Sequence, residues 1–263
     1  MASEQALLPY TRTGQGPCLL LLHGFCEDRF IWQHFLPDLL EEYTVLTPDI
    51  PGFGQAADVP FDSIDEMADL VYRLLQTLKI SNCVVVGHSM GGYVALALAE
   101  KYPSVLAGLL LFHSTAYPDD ETKRQGRQNA IASVKQYGTR PFLNQFFTNL
   151  FTPNFAQQHP QILQTLFQRA QNLPPQSVIA AMQAMMQRPN RTPVLKHAQF
   201  PVGFIAGSHD TFVPLPATLA QCSLPHTASI CILPSAAHAA MFECPRESLH
   251  AVKDFAGFCC FLA

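Results

Sequence analysis

Cys83-Val84-Val85-Val86-Gly87-His88-Ser89-Met90-Gly91-Gly92 runs from four apolar residues straight into a glycine-flanked serine. A short, wholly apolar run of this kind reads as a strand buried on both faces. The following residues, Tyr93 to Lys101, suit a helix. Gly87 to Gly91 fits G-x-S-x-G, and a strand before and a helix after it are the setting in which that motif carries a nucleophilic serine on a tight turn. Such a turn leaves almost no room for side chains beside it, which accounts for Gly87 and Gly91. Ser89 is the candidate nucleophile. The alternative is a glycine-rich turn with an inert serine.

The same texture extends outward in both directions. Upstream, Cys18 to Leu22 reads as a buried strand entering the loop His23-Gly24-Phe25, and Ile31 to Glu42 suits a helix. Tyr43 to Thr47 reads as a strand stopped by Pro48, Pro51, Gly52 and Gly54. Ser63 to Leu78 places Ile64, Met67, Leu70, Val71, Leu74, Leu75 and Leu78 on one helical stripe, with Asp62 or Ser63 as N-cap. Downstream, Val105 to Phe112, Pro201 to Ala206 and Ala228 to Leu233 read as strands. Helices are expected over Leu215 to Cys222 and Arg246 to Phe258. Apolar strands alternating with helices predict an α/β fold, a mostly parallel sheet flanked by helices. The alternation stops between Ala116 and His197, where Gln, Asn, Met and Phe recur at helical spacing. The expected organisation is therefore a first core part over 1–115, a helical cap or lid over 116–197 and a second core part over 198–263.

Composition narrows the function. The 263 residues are 48% hydrophobic and 14% charged, with a net charge of −4. A sizeable core is available, and no basic face argues for nucleic acid or an anionic membrane. Met1 to Tyr10 lacks the basic-then-apolar pattern of a secretory signal. Every apolar run is too short for a membrane span, including Phe255 to Ala263, which reads as the end of a docked helix. The eight cysteines show no C-x-x-C pair, so reduced thiols and a cytoplasmic location are expected. A small-molecule substrate is the expected partner.

A serine hydroxyl needs a base. Among ten histidines, His238 lies in the loop after the strand Ala228 to Leu233, and Asp210 follows the preceding strand in Gly207-Ser208-His209-Asp210. Loops at the carboxyl ends of parallel strands are where an open sheet presents its reactive groups. The order Ser89, Asp210, His238 is one in which nucleophile, acid and base are known to combine. Asp119 and Asp120 are the fallback acids. The backbone N–H groups of Phe25 and Met90 are candidate donors to an oxyanion. His23 and His88 suit hydrogen-bonded support of turns, and His113 and Ser114 are candidates for the pocket wall. Phe142, Phe146, Phe147, Phe151, Phe155, Met182, Met185 and Met186 suit packing between cap helices, and Phe146 is a further substrate-binding candidate. No H-E-x-x-H or comparable spacing suggests a metal, and no G-x-G-x-x-G suggests a dinucleotide.

With these residues placed, the chain resembles the α/β-hydrolase fold superfamily, in its compact lidded branch of serine esterases and thioesterases. The resemblance rests on Leu22-His23-Gly24-Phe25, Asp49-Ile50-Pro51-Gly52-Phe53-Gly54, Gly87 to Gly92, Gly207 to Pro214, and His238 with Glu243 and Pro245. It implies Ser89 as nucleophile, Asp210 as acid, His238 as base, amides of Phe25 and Met90 for the oxyanion, and no metal or organic cofactor. One departure is Ala237, where such proteins usually carry Gly before the histidine. Ser89, where haloalkane dehalogenases of this fold carry Asp, argues against dehalogenation. The expected activity is hydrolysis of an ester or thioester of a small, largely apolar substrate through an acyl-enzyme. A lyase or carbon–carbon bond-cleaving enzyme using the same three residues, and a non-catalytic ligand-binding protein, are the alternatives.

Overall fold

The computed structural model describes residues 7–262; residues 1–6 and 263, which belong to the two terminal stretches read above, lie outside it. Among the described residues seven strands form one sheet: β1 (Tyr10–Thr13), β2 (Cys18–Leu22), β3 (Thr44–Pro48), β4 (Cys83–His88), β5 (Leu106–Phe112), β6 (Val202–Gly207) and β7 (Ala228–Leu233). Their spatial order is β1-β3-β2-β4-β5-β6-β7, with β1 antiparallel to β3 and every other neighbour parallel. β4, in the middle of the sheet, and β6 are buried throughout, as their largely apolar sequences require. The strand that leads into Ser89 therefore sits mid-sheet, under protein on both sides.

Two strands depart from the sequence reading. β1 is unanticipated: its Tyr-Thr-Arg-Thr is mostly polar and exposed, and only pairing with β3 makes it a strand. Ala228–Leu233 reads as doubly covered, yet β7 is an edge strand that buries only Leu233. Apolar composition does not distinguish the last covered strand from the first uncovered one.

The helices are α1 (Leu36–Leu39), α2 (Ile64–Thr77), α3 (Met90–Lys101), α4 (Glu121–Tyr137), α5 (Thr139–Asn149), α6 (Pro153–Gln158), α7 (Pro160–Ala170), α8 (Pro175–Gln187), α9 (Thr192–His197), α10 (Leu215–Cys222), α11 (Ala240–Glu243) and α12 (Pro245–Leu262). In α2 the expected stripe is buried from Ile64 to Leu75, each large side chain contributing about 1.5–3 kcal/mol, while Leu78 is the half-buried C-cap. Ser63 is its N-cap, its Oγ accepting the Glu66 N–H at 3.1 Å. α3 is apolar nearly all round and buries every residue from Met90 to Ala99 against sheet and α2. The helix expected over Ile31 to Glu42 is instead a 3-10 turn at Arg29–Trp32 followed by the single turn of α1. Pro37 is the cause: inside a continuous helix its ring would collide with the carbonyl of Gln33, so it opens a new turn.

Six helices, α4 to α9, lie between β5 and β6, which are neighbours in the sheet. They form a helical insertion on the α/β core. Among the described residues no helix is long and apolar enough to cross a membrane.

Candidate active site

β4 delivers Ser89 on a strained turn. Its φ of +50° and ψ of −115° lie outside the regions open to ordinary side chains. A Cβ on Gly87 would lie 2.5 Å from the Gly91 carbonyl oxygen, and one on Gly91 would run into the backbone of Leu22 and His23. Both glycines are thus fixed by close approach of backbone. Met90 opens α3, so its N–H lies ahead of the intrahelical donors, at the positive end of the helix. Neither it nor the N–H of Phe25 has a hydrogen-bond partner among the described residues.

The chain brings Ser89, His238 and Asp210 together from three loops. His238 Nε2 lies 2.9 Å from Ser89 Oγ, and His238 Nδ1 lies 2.8 Å from Asp210 Oδ2. Asp210 Oδ1 accepts the N–H groups of Phe212 and Val213, each at 2.9 Å. Its Oδ2 also accepts His113 Nδ1–H at 3.0 Å. An ionised carboxylate only accepts, so both imidazoles carry their proton on Nδ1, and the Nε2 lone pair of His238 faces the hydroxyl. Burial alone would raise the Asp210 pKa, but the facing imidazoles of His238 and His113 outweigh it and hold the carboxyl well below its usual range. Burial dominates at His113, whose pKa falls to about 4, leaving the ring neutral near pH 7.

His113 and Ser114, expected on the pocket wall, are not part of it. His113 is buried behind Asp210, and its Nε2 has no hydrogen-bond partner among the described residues. Ser114 Oγ donates to the Ser89 carbonyl at 2.7 Å, bracing the turn. The sequence shows both next to the strand end but not which way they face. The fallback acids are occupied elsewhere: Asp119 pairs with Arg127 and Arg188, and Asp120 caps α4.

A second buried network lies beneath. His88 Nε2–H donates to the His238 carbonyl at 2.9 Å, and its Nδ1 meets Glu27 Oε2 at 2.9 Å. Glu27 Oε2 also accepts the Gly24 N–H at 2.7 Å. Burial opposes charge on both partners, but their mutual attraction outweighs it, raising the His88 pKa and lowering that of Glu27. The pair ties the His23-Gly24-Phe25 loop to the backbone of His238. His23 braces the next loop, its Nε2 accepting the Ile50 N–H at 2.8 Å.

Above Ser89 opens a cavity of about 320 Å³. Phe25, Phe142, Phe146, Met182, Met185 and Phe212 supply much of its wall. Phe146, the substrate-binding candidate of the sequence, is thus a wall residue of this cavity. Lys123 and Arg127 also line the cavity; their i, i+4 spacing at the start of α4 is the signal that would have found them. Among the described residues, His113, Asp210 and His238 are the cluster whose donor atoms converge as metal ligands would, within 4.8 Å. The hydrogen bonds of the two imidazoles to the shared Asp210 Oδ2 already account for that approach. A lone pair at 2.9 Å from a hydroxyl, on an imidazole held by a carboxylate, is arranged to accept its proton.

Residues 17–245 match the family described as alpha/beta hydrolase fold. The chain is 29% identical over 244 residues to a 2-succinyl-6-hydroxy-2,4-cyclohexadiene-1-carboxylate synthase of Enterobacter sp. (strain 638), covering 89% of this chain and 90% of that one. Among solved structures, a malate-bound thermophilic esterase from Thermogutta terrifontis superposes with a TM-score of 0.90 at 30% identity, covering 96% of this chain and 93% of the other. An enol-lactonase from Burkholderia xenovorans LB400 shares the fold with a TM-score of 0.87 at 20% identity, over 94% and 95% of the two chains. With a family match across most of its length, the chain belongs to the α/β-hydrolase fold family.

Proposed function

We propose that the protein is a serine hydrolase that cleaves an ester-like bond, an ester or thioester, of a small substrate with a largely apolar body. In this reading Ser89 Oγ attacks the carbonyl carbon while its proton passes to His238 Nε2. The carbonyl electron pair moves onto oxygen, which the N–H groups of Phe25 and Met90 receive. The intermediate collapses, the carbon–leaving-group bond breaks, and His238 returns its proton to the departing alkoxide or thiolate. Water then attacks the acyl-Ser89 carbonyl as His238 takes its proton, and His238 returns that proton to Ser89 Oγ as the acyl–oxygen bond breaks and the acid leaves. Asp210 holds the imidazole tautomer and stabilises its cation. The insertion, residues 116–197, acts as a cap whose Phe and Met side chains exclude water from the reacting centre. Reduced thiols fit a cytoplasmic setting for this activity.

The single observation that carries this reading is the 2.9 Å approach of His238 Nε2 to Ser89 Oγ. The test is covalent labelling by a fluorophosphonate together with turnover of p-nitrophenyl esters. Ser89→Ala is expected to abolish labelling and to lower kcat by about 10⁴-fold or more. A folded wild-type protein that neither labels nor turns over any ester overturns the proposal.

A second reading has a specific observation in its favour, the likeness to the cyclohexadiene-carboxylate synthase. There the same three residues would transfer a proton in a lyase reaction. Product analysis separates the two: hydrolysis consumes water and releases an acid, whereas elimination leaves a new carbon–carbon double bond.

A further inference from the structure

The cavity above Ser89 is not apolar throughout. Lys123 and Arg127, one helical turn apart on α4, line it with Gly126 beside them. No Asp or Glu among the described residues lines it. Arg127 Nε–H donates to Asp119 Oδ2 at 2.6 Å, and Asp119 Oδ1 takes Arg188 at 2.7 Å. Burial alone would raise the Asp119 pKa, but the two guanidiniums outweigh it and keep the carboxyl ionised. One anion shared by two cations leaves the trio positive by one charge. The terminal N–H groups of Arg127 and the ammonium of Lys123 have no acceptor among the described residues. A Cβ on Gly126 would meet nothing within 4 Å, so the wall is bare beside these cations.

We infer that this wall is an anion subsite, and that the substrate of the Ser89 site carries, beyond its apolar body, a terminal carboxylate received by Lys123 and Arg127. The inference deepens the hydrolase reading and rests on it for the reaction. The free edge of a guanidinium whose Nε is already bonded matches the two oxygens of a planar carboxylate, and the ammonium adds a mobile point charge. Two cations beside aromatic and methionine walls gain more from an anion than they would in open water. The apolar body and the charged end then select together: the walls take the chain, and α4 takes its terminus.

The test compares, with the full chain, p-nitrophenyl monoesters of four- to eight-carbon diacids against p-nitrophenyl esters of the neutral acids of equal length. At one or more lengths kcat/KM is expected to favour the carboxylated ester by about tenfold or more, the usual worth of a hydrogen bond to a charged group. That ratio is expected to fall toward one in Lys123→Met and in Arg127→Met. Lys123→Met breaks no ion pair, so it remains informative if Arg127→Met, which loosens Asp119, fails to fold. Equal or better turnover of the neutral esters at every length, or a ratio unchanged in Lys123→Met, overturns the inference. If no ester of either kind is turned over, the hydrolase reading fails alone, and calorimetric titration with adipate reads the subsite. Binding that is lost in Lys123→Met keeps it; absence of binding removes it.

Discussion

Asp210 serves two imidazoles, and the second has its own consequence. His113 Nδ1–H and His238 Nδ1–H both reach Oδ2, while Oδ1 is filled by two backbone N–H groups, so the carboxylate cannot rotate without losing bonds. His113 holds this place at a φ of +50°, a strained value for a residue with a side chain. Burial lowers its pKa to about 4, against roughly 6.5 in an unfolded chain. As pH falls the unfolded chain therefore takes up the proton first. The stability is present above about pH 6.5 and is lost as pH falls through about 4, a loss on the order of 3 kcal/mol. The His88–Glu27 pair works oppositely at its histidine, whose raised pKa contributes stability that is lost as pH rises. His113→Asn keeps a side-chain N–H for Asp210 and removes the titrating ring. Denaturant unfolding at pH 7.5 and pH 5 is expected to show a smaller acid loss in the variant than in the wild type. Equal losses in both would exclude His113 as the titrating group. The three residues that meet at the site are legible in sequence because each follows a strand, and strand ends are visible as apolar runs that stop. The role of His113 is not legible, since it depends on the direction of one side chain across a gap between loops.

At the scale of elements, glycine separates what the backbone forbids from what it tolerates. Gly91 sits in the first turn of α3 against the backbone of Leu22 and His23, which cannot yield without moving β2. Gly126 sits inside α4 with nothing within 4 Å of a Cβ. Gly91→Ala is expected to cost at least about 2 kcal/mol through overpacking. Gly126→Ala is expected to gain up to about 1 kcal/mol from helix propensity alone. Thermal unfolding of the two variants checks both signs, and a stabilising Gly91→Ala would show that the turn can open. The same contrast explains what the sequence discloses about elements. β4, α2 and α3 are legible because their periodicity is decided locally by burial. α3 nevertheless starts at Met90 rather than Tyr93, since Gly91 and Gly92 hide a helix start made by tertiary packing. β1 and the exposure of β7 depend on position in the sheet, which no local pattern records.

Across the whole molecule, the insertion and the core meet at the loop that carries His238. Glu243 Oε1 accepts the Thr152 N–H from the insertion at 2.8 Å, and its Oε2 accepts the Ala237 N–H from the core at 2.7 Å. The His238 N–H itself donates to the Leu150 carbonyl at 2.9 Å. One carboxylate thus fixes the residue before the proposed base and the start of α6 together. The same loop carries Ala237, the departure from the sequence resemblance. Ala237 has no left-handed φ, and its carbonyl packs closely over Gly207, where a Cβ would collide with it. Elsewhere the two parts are joined by charge: Arg169 on α7 reaches Asp28 at 2.8 Å, and Arg191 bridges Asp65 on α2 and Glu100 on α3. Those partners are half-exposed or bonded several ways, so losing one contact costs little. Glu243 is different, because removing it strands two backbone N–H groups at once. Glu243→Ala is expected to cost about 2–3 kcal/mol of stability and to lower kcat about tenfold while leaving KM within a few-fold, because the loop positions the imidazole rather than the substrate. Glu243→Gln keeps one acceptor oxygen and is expected to fall between the two. Unfolding curves and steady-state kinetics on the three proteins check this, and a lowered Tm with unchanged kcat in Glu243→Ala would show that the insertion stabilises the fold without aligning His238.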